Sequence, residues 1–142
     1  MNTLTPLHCQ SPSGEHFTFF YLVNKYLACQ PTYWEFSVRR TTNEPYLDMS
    51  YHVKVIELDA TTAFIRDINN ENAEWAKKKG ISESIFPVIM TTVGKKIMSS
   101  NGGPGERQTE CGINMWKRFC STGIARYDSD SRRYVYIPTE QF

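Results

Sequence analysis

The sequence predicts an α+β domain built on one mixed sheet, and three observations carry that prediction. Three runs between Trp34 and Ile68 read as strands joined by connections too short for a parallel crossover, which makes them an antiparallel meander. From about residue 77 to Cys120 the pattern alternates helix, strand, helix. The chain then closes on two short aromatic runs around Asp128-Ser129-Asp130-Ser131, a hairpin. At 142 residues the prior is one domain, read here as 1–142 with a lead-in over 1–14 and a tail over 138–142.

Taken in order, Pro6, Pro12 and Gly14 break up the lead-in. Phe17, Phe20, Tyr21, Leu27 and Ala28 follow helical spacing, and Pro31 ends that helix; Phe17–Val23 is also aromatic enough for a strand. Trp34-Glu35-Phe36-Ser37-Val38-Arg39 alternates strictly. Asn43-Glu44-Pro45 is a turn, after which Met49, Tyr51, Val53 and Val55 share one face of a strand. Asp59-Ala60-Thr61 turns the chain into a third strand, Thr62 to Ile68, with Ala63 and Ile65 opposite Phe64. Polar Asn69-Asn70-Glu71-Asn72 follows. Ile85 to Val93 is an apolar helical run, residues 96–100 a strand, and Asn101-Gly102-Gly103-Pro104-Gly105 a glycine loop. The next helix carries Thr109, Gly112 and Trp116, with Gly123 as its C-terminal cap. The strand 62–68, crossing through a helix to 96–100, is expected to pair with it in parallel by a right-handed crossover.

Composition narrows function only coarsely. Sixteen Lys plus Arg against fifteen Asp plus Glu leave a net charge of +1, which argues against nucleic-acid binding by bulk charge. Cys9, Cys29, Cys111 and Cys120 form no C-x-x-C pair and stand at no metal-ligand spacing from histidine, so no metal site is expected. Dispersed cysteines, no secretory signal pattern at the start and no apolar run near the ~20 residues of a membrane span point to reduced thiols in a cytoplasm.

Chemistry concentrates at Lys77-Lys78-Lys79-Gly80-Ile81-Ser82. Backbone N–H groups at a helix start, beside glycine and lysine, bind anions, and glycine admits a phosphate to close approach. With Ser84 as N-cap, Pro87 falls in the first turn, where its missing N–H is harmless. A competing reading makes residues 71–79 a helix, supported by Glu74 and Lys78 at i,i+4, with Gly80 as its C-cap. Ser99-Ser100-Asn101 ends a strand beside the same crossover, where ligands of parallel strands bind. Asp67 is a candidate general base, and Tyr127, Tyr134 and Tyr136 are candidate proton donors or stacking groups. Met115 and Trp116 read as core.

Over residues 51–137 these elements resemble the GNAT superfamily of acyl-CoA N-acyltransferases, in particular its small divergent members from phages and mobile elements. The resemblance rests on a helix-opening loop of the form [Gln/Arg]-x-x-Gly-x-[Gly/Ala]. Gly80 matches it, while Lys77 stands for the usual Gln or Arg and Ser82 for the usual Gly or Ala. The ending, residues 97–100, then Gln108-Thr109, Gly112, Met115-Trp116-Lys117-Arg118-Phe119 and Gly123, is similar in texture. The resemblance implies acetyl-CoA or another acyl-CoA held by Lys77, Lys79, Gly80, Ile81, Ser82 and Asn101, with Asp67 as base and an amine as acceptor.

Two other readings compete. One is a catalytically silent interaction protein of the same fold, such as a phage- or plasmid-encoded inhibitor of a host factor, anchored by Trp34, Trp75 and Tyr136. The other is a winged-helix nucleic-acid binder with helices at 71–79, 85–95 and 107–120 and a basic wing at 124–137 carrying Arg126, Arg132 and Arg133.

Overall fold

A computed structural model of the chain describes residues 4–28, 30–42, 51–69, 74–103, 106 and 109–138. Eight strands run through it: β1 (Thr5–Gln10), β2 (His16–Tyr26), β3 (Tyr33–Arg39), β4 (Tyr51–Glu57), β5 (Thr62–Asn69), β6 (Lys96–Ser99), β7 (Ala125–Asp128) and β8 (Arg133–Tyr136). Two helices join them, α1 (Ile81–Val93) between β5 and β6 and α2 (Glu110–Ser121) between β6 and β7. The strands form one sheet in the order β1-β2-β3-β4-β5-β6-β8-β7, curled into a half-barrel. Among the described strands only β5 and β6 pair in parallel.

This corrects the expected fold class. The chain is mostly sheet with two short helices, and the GNAT-like α+β arrangement with several helices is not what it adopts. The stretch from Phe17, read as a helix with a strand over Phe17–Val23 as the alternative, is strand β2, and the lead-in contains strand β1, which pairs with β2 from Thr5↔Tyr21 to Gln10↔His16. Over 71–79, where the winged-helix reading expects its first helix, the described residues hold one 3-10 turn, Glu74–Ala76. The meander, the parallel crossover and the terminal hairpin lie where alternation and connection length put them. The turn at 43–45, Met49, residues 70–72, Pro104, Gly105, Gln108 and the end of the tail from 139 lie outside the described residues.

Alternation builds the core. Leu7 and Cys9, Phe19, Trp34, Phe36 and Val38, Tyr51, Val53 and Val55, and Ala63 and Ile65 are buried at every second position of β1 to β5. They pack against Ile81, Ile85, Phe86, Ile89 and Val93 of α1 and Met115, Trp116 and Phe119 of α2. Phe86 is the junction: its ring stands edge-on to Trp116 at 5.4 Å and to Phe119 at 5.0 Å, and lies 5.4 Å from Tyr136. Trp34 and Tyr136, proposed as partner anchors, are 3% and 4% exposed and belong to this core.

Gly80 starts α1 in the left-handed region, φ 76°, so the helix begins one turn before Ser84. Pro87 therefore sits in the second turn and leaves the Glu83 carbonyl without its intrahelical donor. Gly94 closes the helix, its N–H donating to the Met90 carbonyl at 2.9 Å. At α2 the Thr109 hydroxyl accepts the Gly112 N–H at 3.0 Å, and Glu110 and Arg118 suit the two ends of the helix dipole.

Candidate functional site: a crevice between β5 and β6

β6 follows β5 from Thr62↔Lys96 to Ile65↔Ser99 and then stops, while β5 runs on to Asn69. Past Ile65 the β6-facing edge of β5 has no strand partner among the described residues. On its other side β5 carries a bulge: Val55 faces Ile65 and Lys54 faces Asp67, so Arg66 is the extra residue. Bulges re-aim side chains, and this one brings Arg66 to the opening. The result is a crevice at the carboxyl ends of two parallel strands, the usual place for a ligand in such a pairing.

Its walls are Ile65, Arg66 and Ile68 from β5, Ser99 and Ser100 from the end of β6, Thr109, Gly112, Ile113 and Trp116 from α2, and Tyr134 from β8. About 30 Å³ of it is open to water, room for about two molecules at ~10–15 Å³ each. One cation, three small hydroxyls, one phenol and an apolar wall therefore meet at a helix start.

The β6 side is held by side chains. Ser99 Oγ accepts the Tyr134 N–H at 2.9 Å and donates to the Ser100 carbonyl at 2.9 Å. Arg133 donates to the Ser99 carbonyl at 2.9 Å and makes a two-pronged pair with Glu106 at 2.7 and 2.6 Å. Glu106 also accepts the Asn101 N–H at 2.8 Å. Burial pushes the Glu106 carboxyl up, but the Arg133 hydrogen bonds, the Asn101 N–H and the guanidinium charge together outweigh it and hold it below the usual glutamate value. Tyr134 stacks on Trp116 at 6.1 Å, and burial raises its phenol.

The residues expected to bind cofactor fall in two places, neither of them the wall of this crevice. Gly80, Ile81 and Ser82 do come together at the start of α1, as a packed joint. A Cβ on Gly80 would stand 2.0 Å from the Gln10 carbonyl oxygen of β1, so the space next to Gly80 holds β1. Ile81 is in the core, and Ser82 Oγ lies 2.7 Å from the Tyr51 hydroxyl, whose pKa burial pushes up to about 12. Lys79 caps the Phe17 ring at 4.9 Å, and Lys77 is exposed. Asn101 organises its own loop, its Oδ1 accepting the Gly103 N–H at 2.9 Å. Asp67 pairs with Arg66 at 3.1 Å and does not line the crevice.

Arg66, Thr109 and Ile113 went unread as site residues. A signal for the first exists: apolar positions step 63, 65, 68 along β5, and that odd step marks the bulge. Among the described residues no three His, Cys, Asp or Glu side chains gather as a metal-binding group, and no helix is long and apolar enough to cross a membrane. No family model, curated protein or solved structure matches the chain.

Proposed function

We propose that the chain is an acyl-CoA-dependent N-acyltransferase whose thioester arm enters the β5–β6 crevice, the activity implied by the sequence resemblance. The observation that carries this reading is that β6 ends at Ser99 while β5 runs on to Asn69, which opens a crevice at the carboxyl ends of two parallel strands. An amide-bearing linear arm fits beside β5 there as an added strand would. Ile68, Ile113 and Trp116 supply the apolar wall, while Arg66 and the α2 start favour phosphate. Acyl-CoA supplies the activated acyl group. The free amine attacks the thioester carbonyl and the C–S bond breaks; Tyr134 gives its hydroxyl proton to the departing sulfur, the proton lost by the amine nitrogen restores the phenol, and the crevice walls exclude water and fix the amine's approach. Among the described residues no carboxylate lines the crevice, so the amine enters as its free base and the rate climbs with pH.

The second reading, a binding module without chemistry, draws on the same absence of a carboxylate and on the β1 strand that fills the space beside Gly80. Calorimetric titration with acetyl-CoA separates the two. The acyltransferase reading expects saturable binding, lost in Ile113→Trp, which fills the crevice. Tyr134→Phe is expected to bind normally and turn over roughly 10²-fold more slowly. Absence of binding at millimolar acetyl-CoA in the native chain ends the enzyme reading.

A further inference from the structure

The sheet has two outer strands, β1 and β7. β1 carries Pro6, a residue that edge strands use to discourage further pairing. β7 holds no proline, and its backbone is turned outward. Tyr134 of β8 sends its N–H to Ser99 Oγ, toward β6. Its cross-strand partner Tyr127 therefore sits in a non-hydrogen-bonded pair with it, and the Tyr127 N–H and C=O point away from β8, out of the sheet.

The side chains on this edge are complementary to themselves. Arg126 and Asp128 flank Tyr127 and, two residues apart, share one side of the strand. Tyr127 lies on the other side, 52% exposed, edge-on to Tyr134 at 5.0 Å. Both Ser131 hydrogen bonds to Asp128 fall on Oδ2, leaving Oδ1 for another donor.

We propose that β7 is a self-association edge: two copies pair antiparallel about Tyr127, extending the sheet across a two-fold axis. In that register the two Tyr127 residues exchange both backbone hydrogen bonds. Arg126 of each copy stands opposite Asp128 of the other, so two cross-strand ion pairs form on one face. On the other face the two Tyr127 rings meet and prolong the row Trp116, Tyr134, Tyr127. A parallel register would not place Arg126 opposite Asp128. The occupant is a second copy because the charge pattern is matched by its own reverse. A four-residue strand buries less than the ~800 Å² per partner of a standard interface, so the dimer is weak, roughly micromolar.

Sedimentation velocity on the full chain, from low micromolar to sub-millimolar protein, tests this. The native chain is expected to shift from monomer to dimer over that range. Arg126→Asp and Asp128→Arg are each expected to stay monomeric, since each places like charges opposite one another. Mixed, they are expected to form a heterodimer, because one chain then carries two acids and the other two bases. Asp128→Arg also loses the Ser131 bonds; if it does not fold, hydrogen exchange decides, with the Tyr127 amide of the native chain gaining protection as concentration rises and that of Arg126→Asp gaining none. A native chain that is monomeric throughout, folded variants that fail to pair, or an Arg126→Asp dimer as strong as the native one overturns the proposal.

Discussion

Gly80→Ala is expected to destabilise the fold by roughly 3 kcal/mol, about 10 °C in Tm, with the m value unchanged in urea. Two causes add. The backbone at Gly80 is left-handed, φ 76°, where an L side chain costs ~1–2 kcal/mol. The added Cβ would also stand 2.0 Å from the Gln10 carbonyl oxygen, and that atom is backbone, so either β1 or the start of α1 must shift. Gly94→Ala is the control. Its φ is 71°, almost the same, but nothing lies within 4 Å of its Cβ, so it is expected to lose only about 1 kcal/mol. The difference between the two isolates the contact with β1. It also separates two meanings of this glycine. A phosphate cradle predicts that Gly80→Ala loses cofactor affinity at little cost in stability; a helix–strand joint predicts the reverse, and the Gln10 contact favours the joint.

The glycine itself was legible in the sequence, and its neighbour was not. A loop of lysines before Gly80 reads equally well as a ligand site or as a chain turn, and nothing local says that β1, seventy residues earlier, fills the space beside it. β1 escaped notice because Pro6 and Pro12 look like breakers, although edge strands tolerate proline. At β2 the sequence supports helix and strand alike, for a different reason. Phe17, Phe19, Tyr21 and Val23 take part in the core, yet Phe20 and Leu22 on the opposite face are half-buried as well, and apolar residues on both faces erase the period of two. What remained, Phe17, Phe20, Tyr21 and Leu27, imitates a helix.

The strands of the meander were legible because β3 and β4 keep one face in the core: Trp34, Phe36, Val38 and then Tyr51, Val53, Val55. The parallel pairing followed from connection length. The crevice was half legible. Its strand end at Ser99-Ser100 and its Tyr134 stood out, whereas Arg66 depends on a register shift between Lys54 and Val55 that belongs to the partner strand as much as to its own. Trp116 was read as core, and it is both: its ring packs on Phe86 and also walls the crevice.

Glu106→Ala is the second large effect, expected to cost about 3–5 kcal/mol. The side chains of Arg133 and Glu106 are 10% and 11% exposed, so the guanidinium loses its counter-charge where water cannot replace it. Arg133 would keep the Ser99 carbonyl and its place over the Phe64 ring at 5.4 Å, contacts that hold it in the buried position and prevent it from escaping to solvent. Replacing both partners, Glu106→Ala with Arg133→Met, is expected to recover much of the loss, since the penalty lies in the orphaned charge. The pair also fixes an acid limb. The carboxyl is held below its ordinary value of 4.5 in the fold, so its contribution is complete above that pH and is lost as pH falls through the lowered native value. Glu106→Gln removes this titration, so its stability curve is expected to flatten below pH 4.5 relative to the native one. A native curve already flat there would mean that the Arg133–Glu106 pair does not hold the turn from β6 toward α2, and with it one wall of the crevice.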